Sequence, residues 1–181
     1  VRKKKKTILR DEKTDISVDA VLESVIQILR ITLKKNEEDP DLRLTIYRLT
    51  PDKKYLKQHT KYFGIDLQYS KVRHKIEISK GVIGAAYRTK KVAPLNRDPK
   101  VSDAEFREDM VKGFGFTEEE AKALRDDRKA WIALPVKEET GIHTILYCDS
   151  KVHKFFGTEN SVRYKILEAA CAGLAEFLAK S

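Results

Sequence analysis

Three amphipathic aromatics, Tyr62, Trp131 and Tyr147, lie in or beside segments that read as strands. Ligand pockets combine apolar walls with a few polar groups, and a ring carrying a hydroxyl or an indole N–H supplies both. Trp131 nonetheless fits an ordinary core better than a pocket wall. Asn96, Asp127 and Arg128 flank a charged, helical middle and offer polar contacts, although a mixed-charge surface uses the same residues with no ligand. Arg73 and His74 could face an anionic ligand, although nothing in their spacing demands one.

Residues for covalent or metal chemistry are sparse. Cys148 and Cys171 each sit inside an apolar run, too few for a disulfide framework and at no metal-ligand spacing. A reduced chain is the simpler account, and Cys148, on an apolar strand, reads as a small core hydrophobe. The histidines His59, His74, His143 and His153 are scattered among charged and turn residues and read as surface positions. The phosphate-cradling GxxxxGK and GxGxxG loops are absent, as are HExxH, GxSxG and CxxC. The run KGFGF over Lys112–Phe116 matches half of an RNA-stacking strand, but TEEE follows it, opening a helix and repelling phosphates. It is expected to be a two-glycine hinge with Phe114 and Phe116 packed inward. GVIG over Gly81–Gly84 has the glycine spacing of a phosphate clamp, yet Val82 and Ile83 between them are apolar and point to a buried helix start.

The positioning elements follow from periodicity. Apolar residues at spacings of three and four predict a helix over 14–33, with Ile26 and Ile31 widening its stripe, and another over 160–179. Alternation predicts strands over 42–49, 55–63 and 74–79, and a short extended piece over 91–95. A helix over 81–89 is expected to be capped by Ser79. Ser102 with Glu105, and Thr117 with Glu120, are capping-box patterns ahead of helices 103–112, stopping at Gly113, and 118–125. The apolar runs 130–136 and 144–148 form a second hairpin and are expected at the centre of the sheet. Strands joined by short hairpins and flanked by helices predict an α+β domain, an antiparallel sheet covered by helices with long helices at both ends.

The chain has 181 residues, 41 % of them hydrophobic, enough for one core and too many for wholesale disorder. Its net charge of +9 invites a nucleic-acid reading, but residues 1–13 alone hold seven basic groups and only two acids. Residues 1–13 therefore read as a basic linker or juxtamembrane tail, with Lys3, Lys4, Lys5 and Lys6 able to contact an anionic membrane, and residues 14–181 as one domain. No specific nucleic-acid partner is expected. A start at Val1 rather than Met leads to the expectation of a longer parent protein, cytoplasmic and placed at the inner face of a membrane.

Three segments then belong together: ISKGVIGAAY over Ile78–Tyr87, WIALPV over Trp131–Val136 and TILYCDS over Thr144–Ser150. Their order and spacing resemble the GAF domain family, in which a "kGvvGxa" segment opens a helix and strands ending in "vPv" and "lDS" form a late hairpin. The resemblance spans about Val18 to Leu178 and is least supported over 97–128. It implies a PAS-like antiparallel sheet, a pocket between that sheet and the variable middle, and dimerisation through the first and last helices. Ala169, Ala170, Ala172, Gly173 and Ala175 would let a partner backbone approach there. It also implies that Asp149, at the closing "DS", could bind an amino group. Subfamily marks are missing: there is no NKFDE counterpart, no cysteine in the variable region, and Ile83 stands where the GAF-type free methionine sulfoxide reductases carry a cysteine. The expected function is a non-catalytic sensory or regulatory domain that binds a small molecule through Tyr62, Arg73, Asn96, Asp127, Arg128, Trp131, Tyr147 and Asp149. A ligand-free dimerisation module is the alternative and a reductase a more distant one. No cofactor is named by these residues.

Overall fold

The run RLTIYRL alternates, and it forms β1 (Arg43–Leu49) with Leu44 and Ile46 on one face and Thr45 and Tyr47 on the other. The structure is a computed structural model that describes residues 18–35, 37, 39–64, 74–125 and 127–179. The basic tail and the start of the first predicted helix lie outside them. After β1 come β2 (Tyr55–Gln58), β3 (Lys75–Glu77), α2 (Gly81–Thr89), β4 (Ala93–Asn96), α3 (Asp103–Phe114), α4 (Glu118–Lys122), β5 (Ala130–Glu138), β6 (Gly141–Ser150) and α5 (Val162–Ala179). Residues 18–31 form α1 ahead of them.

The six strands make one antiparallel sheet in the order β3-β2-β1-β6-β5-β4. This is the α+β architecture expected, with β1 and β6 at the centre and β5 one step out. Each face of the sheet carries its own core. Leu44, Ile46, Ile132, Leu134, Leu146 and Cys148 pack against α1 and α5 through Leu22, Ile26, Leu29, Leu167 and Leu174, a dry layer of fully or nearly fully buried side chains. Tyr47, Ile145, Tyr147 and Ala133 point the opposite way, toward Val82, Ile83 and Ala86 of α2. Arg163 of α5 donates to the Thr32 hydroxyl at 3.0 Å and pairs with Glu37, holding the end of α1 to the start of α5. Among the described residues no helix is long and apolar enough to cross a membrane.

Several boundaries differ from the sequence reading. The second strand ends at Gln58 rather than Phe63, because the Gln58 amide donates to Thr60 O at 2.8 Å and the Thr45 hydroxyl also donates there, turning the chain before Phe63 rejoins β1 at Leu44. Lys80, not Ser79, is the residue before α2, and no side chain caps that end. Helix α3 runs through Gly113 and stops at Gly115, whose φ of 71° is the left-handed conformation that releases a helix. Ile31 of α1, read as widening the apolar stripe, is 81 % exposed, and Val162 at the start of α5 is 66 % exposed. Both predicted capping boxes are formed, each with a side-chain and a reciprocal backbone contact. Ser102→Ala or Thr117→Ala is therefore expected to cost about 1 kcal/mol in urea denaturation. A cost near zero for either would show that water caps that helix equally well.

Candidate functional site

A cavity of about 440 Å³ opens between the α2 face of the sheet and the segment carrying α3 and α4. That size suits a small molecule. Its floor is a row of residues paired across three strands: Arg43 on β1 stands opposite Asp149 on β6, which stands opposite Trp131 on β5. Cross-strand partners on one face must touch, so this register, rather than any local motif, assembles the site. Tyr147 lies two residues along β6 on the same face, its ring edge-on to Tyr47 at 6.0 Å. The far wall is apolar: Phe106 of α3 stacks on Trp131 at 5.5 Å, and Met110, Phe114 and Phe116 continue it. Lys80 donates to Glu120 at 2.8 Å and pairs with Glu77 at 3.1 Å, pinning α4 beside the mouth.

Both glycines of GVIG serve close packing. A Cβ at Gly84 would stand 2.6 Å from Ile78 O. Gly81 adopts φ 62°, and a Cβ there would meet Phe116 at 3.0 Å. This buried helix start and the inward turn of Phe114 and Phe116 match the expectations above.

Buried electrostatics dominate the floor. Asp149 is fully buried and accepts from Arg43 Nε at 2.9 Å, from Arg43 Nη2, and from the Tyr147 hydroxyl at 2.8 Å. Arg128 Nη1 lies 3.3 Å from the same carboxylate. Arg128 is 1 % exposed, and its Nη1 also donates to Asp41 O. Burial works against the charge of Arg43, but bonding to Asp149 outweighs it and its pKa is raised; at Arg128 burial wins and the pKa is lowered. Both stay ionised, as guanidinium groups do in proteins. Burial pushes the hydroxyls of Tyr47, Tyr62 and Tyr147 up, so all three are neutral donors at neutral pH. Burial first, then Arg43, lowers the pKa of His74 at the rim.

Of the residues singled out in the sequence, Tyr62, His74, Arg128, Trp131 and Tyr147 line the cavity. Asp149 lies beneath it as the counter-ion of two arginines, not as a free carboxylate waiting for an amino group. Asn96 is exposed and outside the lining: on β4 the alternation turns Leu95 to the cavity and Asn96 away. Asp127 is held behind Arg128 by Arg125 at 2.6 Å and Lys151 at 3.5 Å. Arg73 lies outside the described residues. Arg43 and Tyr47 were missed in the sequence, since only strand pairing brings them to Asp149 and Tyr62; the Tyr47 and Tyr62 hydroxyls are 3.2 Å apart.

Neither thiol reaches the cavity. Cys148 alternates with Tyr147 and Asp149 and faces the α1 and α5 layer, where Cys171 also sits. Burial pushes the Cys148 thiol well up and that of Cys171 to about 12. A thiol-specific disulfide reagent at neutral pH is expected to leave both cysteines of the native protein unlabelled over minutes and to titrate two per chain after denaturation. Rapid labelling of the native protein would contradict this packing.

No protein-family model and no curated protein matches the sequence. Solved structures do. The chain superposes on the GAF domain region of a protein from Geobacter sulfurreducens with a TM-score of 0.61 at 16 % identity, over 94 % of this chain and 98 % of that one. The fRMsr of Staphylococcus aureus, in complex with its substrate, matches at a TM-score of 0.58 and 17 % identity, over 95 % of each chain. The type II free methionine-R-sulfoxide reductase of Thermoplasma acidophilum matches at 0.55 and 14 % identity, over 92 % of this chain and 96 % of that one. The chain has a GAF-like fold, one shared by sensor domains and by enzymes.

Proposed function

We propose that this chain is a non-catalytic GAF-like sensory or regulatory domain that takes a small molecule into the cavity beneath α3 and α4. The observation that carries the reading is the pairing of an aromatic-walled cavity with a buried polar floor, on the face of the sheet opposite both cysteines. The reductases are similar in fold, but their resemblance brings thiol chemistry, and here each thiol is buried on the far side of the sheet with its pKa raised. In the proposed mechanism a ligand orders the segment 97–128, whose Phe106 and Phe114 form the cavity wall. The same strands that carry its floor carry the α1 and α5 contacts on their other face, so the packing of the terminal helices responds. Such a response requires unequal ligand affinity for two helix arrangements.

A second reading, a dimerisation module without ligand, is favoured by Ile28, Ile31 and Val162, exposed on the two terminal helices. Thermal-shift screening against nucleotides, amino acids and tetrapyrroles, with an assay for turnover of free methionine sulfoxide, separates the readings. The sensor reading expects a raised melting temperature with one class and no turnover. A melting temperature unmoved by every class, with a concentration-dependent dimer in light scattering, supports the second reading. Turnover overturns both.

A further inference from the structure

The floor of the cavity carries more positive than negative charge. Among the described residues, four cations (Arg43, Arg125, Arg128 and Lys151) meet three carboxylates (Asp41, Asp127 and Asp149) in one connected network. Lys151 and Arg125 satisfy Asp41 and Asp127 from the outer side, at 2.6 Å each. Arg43 pairs with the Asp149 carboxylate alone, while Arg128 shares it and also lies 3.4 Å from Asp41 and 3.6 Å from Asp127, so four cations still face three carboxylates. At the mouth, Lys75 and Lys80 offset Glu77 and Glu120, so the excess stays on the floor.

The donors are also underused. Arg128 Nε is buried and makes no hydrogen bond among the described residues, its ion-pair contact with Asp127 Oδ1 being 3.6 Å long, and Arg43 Nη1 donates to none of them. Leaving a buried charged donor unpaired is costly, and buried guanidinium groups are ordinarily matched by carboxylates. The Tyr47 and Tyr62 hydroxyls bond to each other, which uses one proton and leaves the second free to donate.

We propose that the cavity is specific for a small organic monoanion, a carboxylate on a flat apolar body, whose charged end sits on Arg43 and Arg128 and whose body lies against Trp131 and Phe106. The proposal rests on the reading of this cavity as a ligand site. One negative charge balances the floor. A carboxylate also matches the planar fork of a guanidinium in two parallel bonds. An amine would add a second unpaired cation, a neutral ligand would leave the first unpaired, and a phosphate monoester, at about −1.5 to −2 near neutral pH, would overshoot.

The test uses the intact protein and three probes, benzoate, phenylacetate and indole acetate, each beside the amide and amine of the same skeleton and beside phenyl phosphate. Binding is followed by fluorescence of Trp131, the one tryptophan of the chain, and by melting temperature. The carboxylates are expected to bind roughly tenfold or more tightly than their amides, with the amines weakest. Arg43→Gln is expected to erase the carboxylate preference, and Arg43→Lys to retain most of it. The wild-type comparison decides by itself if Arg43→Gln does not fold. Amides or amines binding as tightly as carboxylates would overturn the anion specificity while leaving the cavity a ligand site. Phenyl phosphate binding more tightly than every carboxylate would overturn the monoanion assignment. Silence from every probe overturns the anion assignment, while a response to another class in the thermal-shift screen would still uphold the ligand-site reading.

Discussion

Asp149→Asn is expected to destabilise the fold by about 3–5 kcal/mol, because it strips the shared counter-ion from two buried arginines while keeping their volume unchanged. Arg43 and Arg128 both reach the Asp149 carboxylate, and Arg128 is almost wholly excluded from water. Removing one partner of a buried pair leaves an uncompensated charge, which costs far more than the pair itself contributes. Asparagine can still accept one bond from Arg43 and one from the Tyr147 hydroxyl, so the loss is chiefly that of the charge. Asp127→Asn is the comparison and is expected to cost less: its carboxylate pairs with Arg125 and Lys151 where solvent enters, and Arg128, 3.6 Å from it, keeps Asp149 and Asp41. Urea denaturation followed by Trp131 fluorescence measures both, with an unchanged slope expected if only stability moves. A loss below about 1 kcal/mol for Asp149→Asn would mean that water reaches the two guanidinium groups.

The dependence on strand pairing explains which parts of the molecule were legible in the sequence. The capping boxes at Ser102 and Thr117 were readable because their partners lie three residues away and the chemistry is local. The strand around Leu44 was readable from its alternation, and those around Ile132 and Leu146 from unbroken apolar runs, because both of these strands are buried on two faces. Arg43 was not, since 106 residues separate it from Asp149 and only the β1–β6 register joins them. Asn96 was misplaced for a related reason: APLN is too short, and too evenly apolar up to its last residue, to set the phase of its alternation. KGFGF offered two glycines for one helix end, and nothing local chooses Gly115 over Gly113.

The two faces of the sheet thus divide the labour. Neighbouring residues on β5 belong to different layers, and this allows stability and recognition to be separated by adjacent substitutions. Ile132 is fully buried in the α1 and α5 layer, whereas Trp131 is half-buried and borders a cavity that already exists. Ile132→Ala removes packed atoms and leaves a closed void between the sheet and two helices, an expected cost of about 2–5 kcal/mol. Trp131→Ala widens an open cavity and loses its stack on Phe106, an expected cost of about 1–2 kcal/mol for the apolar contact given up. Ligand response should run the other way. Trp131→Ala is expected to weaken binding of an aromatic carboxylate roughly tenfold, equivalent to about 1.4 kcal/mol. Ile132→Ala, assayed well below its lowered melting temperature, is expected to leave that affinity within about twofold, since the residue makes no contact with the cavity. Unfolding curves by circular dichroism and titration calorimetry, applied to both variants, give the comparison. Equal losses of stability with equal losses of affinity would show that the two layers act as one, and the assignment of recognition to the α2 face of the sheet would then fail.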